Sequence, residues 1–332
     1  MTVRVAVPLG LSPRAIQPRG GTAVEFGGPT MGVSWSVRAL APAELDASGA
    51  QSQIQGLLDR IVRQMSTWEP EADISRFNRL PAGGWMEAPA AFRHVLERGL
   101  YWAQESGGAF DPTAGALVDL WGFGAAGAVD APPNDAQIKA ALAASGWDRL
   151  AVDGARVHQP GGLQLDFSGI AKGFGVDEVS RALSLMGLTD HLVEIGGELR
   201  GAGVKTDGSP WWVEIAPPPG AALPGGRILV ALHGLSVATS GDYRRRFEHA
   251  GRIYSHSIDP RTGRPVVNGL RSVSVIAPDC IDADALCTAL TVLGAQEGLD
   301  FATRNDVAAH FLVERAGRLE EFSSPALTAM LG

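Results

Sequence analysis

SVSVIAPDCIDADALCTALTVL, residues 272–293, changes character midway. Up to Pro278 it is β-branched and apolar, as a buried strand is. Asp282 then offers an N-cap, and the residues from Ala283 to about Leu293 are helix formers. What surrounds this switch decides the fold class. Upstream, WWVEIA (211–216), RILVAL (227–232), SVATS (236–240) and RIYSHSI (252–258) all read as strands. Downstream come a second short helix and a hairpin around HFLVERAGRLEEF (310–322).

The N-terminal half supplies most of the helices. A strand is expected over Gly32–Arg38, then a helix with Ile54, Leu57, Leu58, Ile61, Val62 and Met65 on one face. A second helix carries Phe92, Val95, Leu96 and Leu100 and stops at Gly107-Gly108, and a loop runs from Gly122 to Pro133. Asn134 caps a short helix that ends near Gly146. A strand ending near Phe167 leads to a helix faced by Val176, Val179, Leu183 and Met186, and HLVEIGGEL (191–199) is a strand. Strands and helices fall in separate runs, not in βαβ alternation, which predicts an α+β protein with mixed or antiparallel sheets and packed helices. Residues 1–22 read as a frayed lead-in and 23–332 as one domain, long enough to be built as two lobes.

Composition narrows the function. The 28 basic and 36 acidic residues give a formal charge of −8 without long runs of one sign, which disfavours nucleic acid as a partner. An anionic small ligand would need a local device such as a helix N-terminus or a metal ion. Cys280 and Cys287 form neither a disulfide framework nor a zinc motif. The opening residues are broken by Arg4, Pro8 and Pro13, unlike a signal peptide, and no apolar run is long enough to span a bilayer. As written the chain is expected to be cytoplasmic; removal of a leader would make it periplasmic.

Asp284 and Thr288 are four residues apart, so their oxygens leave one face of the expected helix. That pair suits a hard cation such as Mg²⁺, although an acid in a helix's first turn is also favoured by the macrodipole alone. In DFSGIAKGFG (166–175), Ser168 can cap the helix, Gly169 admits a ligand to the backbone, and Lys172 adds charge to free N–H groups. The stretch is neither a P-loop nor a dinucleotide fingerprint. EIGGELRGAG (194–203) either turns tightly or lets something lie on its backbone. Trp68, at the exit of the first long helix, either stacks on a planar ligand or seals a core edge. His256 has the chemistry of a general base, or is structural.

Eight stretches, taken in order, resemble the ApbE family of FAD:protein FMN transferases. They are MGVSWSV (31–37), MSTWEPEADISRFN (65–78), GGAFDPTAGALVDLWGFG (107–124), DFSGIAKGFGVDEV (166–179), EIGGELRGAG, ATSGDY (238–243), YSHSIDPRTGRPV (254–266) and DADALCTAL (282–290). The resemblance spans about residues 24–315 and implies a T-fold-like, two-lobed architecture. It also implies an enzyme that cleaves the FAD diphosphate and moves FMN to a Thr or Ser hydroxyl of an acceptor flavoprotein, releasing AMP. Carried over residue by residue, Mg²⁺ would be held by Asp284, Thr288 and the carbonyl of Gly169. FAD would meet Met31, Trp68, Ala109, Phe110, Asp111, Lys172 and, through its backbone, Ile258. His256 would activate the acceptor hydroxyl, with Asp259 brought to the phosphate end. Trp68 stands where many members have Tyr, which keeps a ring and loses a hydroxyl. The competing expectations are an FAD pyrophosphatase, in which water replaces the acceptor, and a flavin-binding protein without catalysis.

Overall fold

The computed structural model describes residues 2–10, 20–241 and 246–332. Both halves of the deciding stretch form: a strand Leu270–Ala277 and a helix Cys280–Arg304. The strand lies inside an eight-stranded sheet whose neighbours are all antiparallel. From edge to edge the order is Arg318–Ser323, Ala308–Arg315, Leu270–Ala277, Leu235–Gly241, Glu198–Ala202, His191–Ile195, Val33–Ala41 and Thr22–Thr30. The architecture is α+β, as the separated runs predict.

Both faces of this sheet are covered, which explains why its strands read as continuous apolar runs. Along Ala308–Arg315, Ala309, Phe311 and Val313 join one core while Ala308 and Leu312 join another. The first core is closed by the helices Ala47–Met65, Ala90–Glu105, Ala171–Leu185 and Cys280–Arg304, through Ile54, Leu58, Phe92, Val179 and Leu290 among others. The second is closed by a three-stranded sheet and by the helix Pro325–Leu331, through Trp211, Ile228, Val230 and Leu327. A third cluster of Leu117, Trp121, Phe123, Ile138 and Ile258, with Phe247 and Tyr254 against it, fastens the segment that carries His256.

Several local expectations are corrected. Val3–Ala6 is not a frayed lead-in; it pairs in parallel with Arg227–Leu232, while residues 11–19 lie outside the described ones. The strand expected to end near Phe167 stops at His158, and Gln164 makes only an isolated bridge to Ala114. Ser168 does not cap its helix: its hydroxyl and N–H both turn back to the Asp166 carboxylate, and the helix begins at Ala171. The two expected C-terminal helices, by contrast, are both present, parted at Gly294, whose φ of 77° and ψ of −177° leave the helical region. The position before the first of them is Asp279, not Asp282. Asp282 sits in the first turn and accepts from Arg98 (2.6 Å) and Trp102 (2.8 Å).

The N-terminus of this helix is held by the neighbouring one. Asp177 accepts the N–H groups of Cys280 (3.0 Å) and Ile281 (2.9 Å), donors that a helix start leaves without partners. Arg200 donates to the same carboxylate at 3.1 Å. Burial nevertheless wins over these donors and pushes the Asp177 carboxyl from 3.8 up to about 6. A raised acid favours the folded state while protonated, so its contribution is full below pH 3.8 and is lost as the pH climbs through about 6. That swing is worth ~3 kcal/mol. In urea titrations across this window, Asp177→Asn is expected to flatten the decline that the wild type shows; identical curves would contradict it.

Candidate active site

Two glycines bring the helices Ala171–Leu185 and Cys280–Arg304 into contact. A Cβ on Gly173 would run into the Cys280 carbonyl oxygen and lie 2.9 Å from the Asp284 Cβ. A Cβ on Gly169 would lie 2.8 Å from the Thr288 hydroxyl and 3.3 Å from the Phe110 ring. The close approach lets the Gly173 N–H donate to Asp284 Oδ2 at 2.9 Å. Gly169, Phe110, Asp284 and Thr288, distant in sequence, thereby share one spot.

Lys172 extends over it. Its ammonium lies 2.8 Å from Glu198 Oε1 and 3.4 Å from Asp284 Oδ1. The two acids are 2% and 3% exposed, so among the described residues one ammonium serves two buried carboxylates. The buried thiols feel that field. Burial is the main cause that pushes Cys280 and Cys287 upward, with Asp284 and Glu198 adding to both. Both thiols are buried and held protonated, which argues against a thiolate nucleophile.

The donors fit a hard cation. A buried carboxylate whose Oδ1 has its ammonium beyond ordinary hydrogen-bond length, a hydroxyl one turn on and a loop carbonyl at Gly169 are all oxygens, as Mg²⁺ requires. Among the described residues no group of three or more His, Cys, Asp and Glu side chains stands together as a metal site. An ion here would rest on the mixed set and keep open positions for water or phosphate oxygens.

The remaining expected residues form the surroundings. Ala109 and Phe110 are buried in a segment pinned by the Phe110 N–H to the Ser106 hydroxyl at 3.0 Å. Asp111 is turned inward, accepting the N–H (2.7 Å) and hydroxyl (2.6 Å) of Thr113; burial pushes its carboxyl up. This segment also meets the polar break that follows the strand Arg252–Ser255: a Cβ on Gly108 would lie 3.7 Å from the Arg261 side chain. Ile258 pairs with Pro265 and is buried. Asp259, expected at the phosphate end, accepts from Arg261 on both oxygens, at 2.9 and 3.0 Å, closing the turn. His256 is half-buried, with its ring edge-on to Phe123 at 6.3 Å between centroids. Met31 occupies a tight turn with φ 48°, its methyl 3.3 Å from where a Gly175 Cβ would be. The paired glycines of EIGGEL, φ 60° and 106°, make the plain hairpin turn between His191–Ile195 and Glu198–Ala202. Asp242 and Tyr243 of ATSGDY lie outside the described residues.

Trp68 does not seal a core edge: it is 56% exposed. Its sequence neighbour Thr67 lines a cavity of about 300 Å³ with Asn78, Arg79, Asp119, Gln164 and Asp166; Trp68 itself is not in that wall. Sequence reading missed this wall, and it missed Glu198 as the partner of Lys172. The one available signal was an acid directly after a glycine pair, and it points nowhere until the hairpin is folded.

A cation-suited oxygen set beside a lysine in a helix's first turn is equipment for a phosphorylated ligand, and the exposed Trp68 offers a face on which a planar ring can stack. The comparisons give that class a family. The chain matches the ApbE family over residues 31–311. The FAD:protein FMN transferase of Vibrio cholerae serotype O1 is 34% identical over 310 residues, covering 93% of this chain and 92% of its own. That of Haemophilus influenzae is 33% identical over 317 residues, covering 93% and 91%. Among solved structures, the apo Pseudomonas stutzeri flavinyl transferase ApbE has a TM-score of 0.87 at 39% identity, across 94% of this chain and 97% of that one. The Vibrio cholerae flavin transferase ApbE has a TM-score of 0.85 at 33% identity, across 93% and 99%. This chain belongs to the ApbE family and is a transferase.

Proposed function

We propose that the protein is a Mg²⁺-dependent FAD:protein FMN transferase that flavinylates a Thr or Ser hydroxyl of an acceptor flavoprotein. The observation that carries this reading is the convergence of Gly169, Lys172, Asp284 and Thr288 at one helix contact. The names of the relatives supply the reaction class.

FAD lies with its diphosphate at this contact and its isoalloxazine toward Trp68. Asp284, Thr288 and the Gly169 carbonyl would hold Mg²⁺, which when bound would supply Lewis-acid chemistry and offset diphosphate charge. Lys172 offsets further charge from the first turn of its helix. The acceptor hydroxyl oxygen attacks the phosphorus of the FMN half. The bond from that phosphorus to the bridging oxygen breaks, and AMP departs with the electron pair. His256 takes the hydroxyl proton on its imidazole. Phosphoryl transfer is mostly positioning and electrostatics, so few side chains are needed.

The direct test incubates the protein with FAD and Mg²⁺, with and without an acceptor domain. AMP release coupled to covalent flavin on the acceptor is expected. AMP and free FMN in equal amounts regardless of acceptor would make it a pyrophosphatase; FAD binding without AMP would make it a flavin-binding protein. Trp68→Ala is expected to weaken FAD binding, read by flavin fluorescence, by ~10-fold, the scale of one lost stacking contact, with a smaller effect on kcat. Unchanged affinity would remove the indole from the ring site.

A further inference from the structure

Lys172 is held by an acid that lies outside the cation-binding set. Glu198 is the first residue of its strand, placed there by the Gly196-Gly197 turn, and is 2% exposed. Among the described residues two carboxylates lie near the ammonium, and Glu198 is the closer, at 2.8 Å against 3.4 Å for Asp284. The second distance is longer than a normal charged hydrogen bond. Asp284 is thus only partly engaged by the lysine, while its Oδ2 is fixed by the Gly173 N–H.

We infer that Glu198 is a positioning residue: it draws the Lys172 ammonium off Asp284, leaving that carboxylate open to a divalent cation and the lysine open to a phosphate. This rests on the reading of Asp284 as a cation ligand and assigns Glu198 no contact with the reacting atoms. The physical reasoning is a competition. Lys172 and a divalent cation seek the same oxygen, and two cations cannot share a buried carboxylate at close range without repulsion. With Glu198 charged, the lysine has a better partner 2.8 Å away. With Glu198 neutral, the full ion pair forms with Asp284, and a cation must break it to bind.

The test measures Mn²⁺ binding to the ligand-free protein by electron paramagnetic resonance, so turnover is not the readout. Glu198→Gln is expected to weaken Mn²⁺ binding by about tenfold or more, as loss of a buried charge partner does. The decisive arm is the double variant Glu198→Gln with Lys172→Met, in which the competitor is gone. Its Mn²⁺ affinity is expected to recover to at least the wild-type level. Failure to recover would overturn the inference and make Glu198 a source of negative field or a ligand itself. Mn²⁺ affinity unchanged in Glu198→Gln would overturn it too. Wild-type protein that binds no Mn²⁺ would sink the cation reading and this inference together, whereas normal wild-type binding with no recovery sinks the inference alone. Thermal melts without metal check folding. Should Glu198→Gln fail to fold, Glu198→Asp, which shortens the reach but keeps the charge, is expected to weaken binding less than tenfold; a loss as large as that expected for Glu198→Gln would count against the role.

Discussion

Asp284→Ala is expected to lower Mg²⁺-dependent AMP release from FAD by ~10³-fold or more, since a metal's charge stabilisation is worth several kcal/mol. The residue is 3% exposed, lies against the residues of the opposite helix start, and has one oxygen fixed by the Gly173 N–H. Water cannot easily substitute there. The fold should suffer less than the activity, because Lys172 keeps its shorter contact with Glu198. The check is AMP release over a Mg²⁺ titration, with a thermal melt alongside. Activity retained at ordinary Mg²⁺ would take Asp284 out of the cation site.

The second large effect belongs to His256. Replacing it with Ala is expected to slow flavin transfer by ~10²–10⁴-fold, the worth of a general base, while FAD still binds. The ring is half-buried against Phe123, on a segment anchored by Ile258, Tyr254 and the Trp121 indole, which donates to the Gly263 carbonyl at 2.8 Å. A fixed imidazole loses little entropy when it accepts a proton in the transition state. Single-turnover transfer to an acceptor domain separates this role from binding. Equal rates in variant and wild type would contradict it, as would a loss of FAD affinity that accounts for the whole defect.

The fold class was legible because strand and helix periodicities sat in separate blocks, and the helices around Ile54, Phe92 and Val176 appear where their apolar faces placed them. What escaped was settled by side-chain and strand partners, near and far, that periodicity does not report. Ser168 looked like a cap, yet Asp166, two residues before it, takes its hydroxyl. Asp282 looked like a cap, yet Arg98 and Trp102 claim it, and Asp177 from another helix does the capping. Val3–Ala6 became a strand only because Arg227–Leu232 offered an edge. The oxygen cluster divides in the same way. Asp284 and Thr288 share a helix face by spacing alone, whereas Glu198 enters through a sheet register that local pattern does not encode. Asp259 went to Arg261, two residues on, because an acid and an arginine flanking a proline turn satisfy each other first.

The central claim is that a dinucleotide's diphosphate is gripped around a divalent cation where the residue 169–173 turn meets Asp284 and Thr288. Anomalous diffraction from crystals soaked with FAD and Mn²⁺ tests it in one measurement. The account predicts a manganese peak bonded to the Asp284 carboxylate, the Thr288 hydroxyl and the Gly169 carbonyl, with phosphate oxygens completing the shell. A peak elsewhere, or FAD bound with its diphosphate away from these three residues, would contradict it.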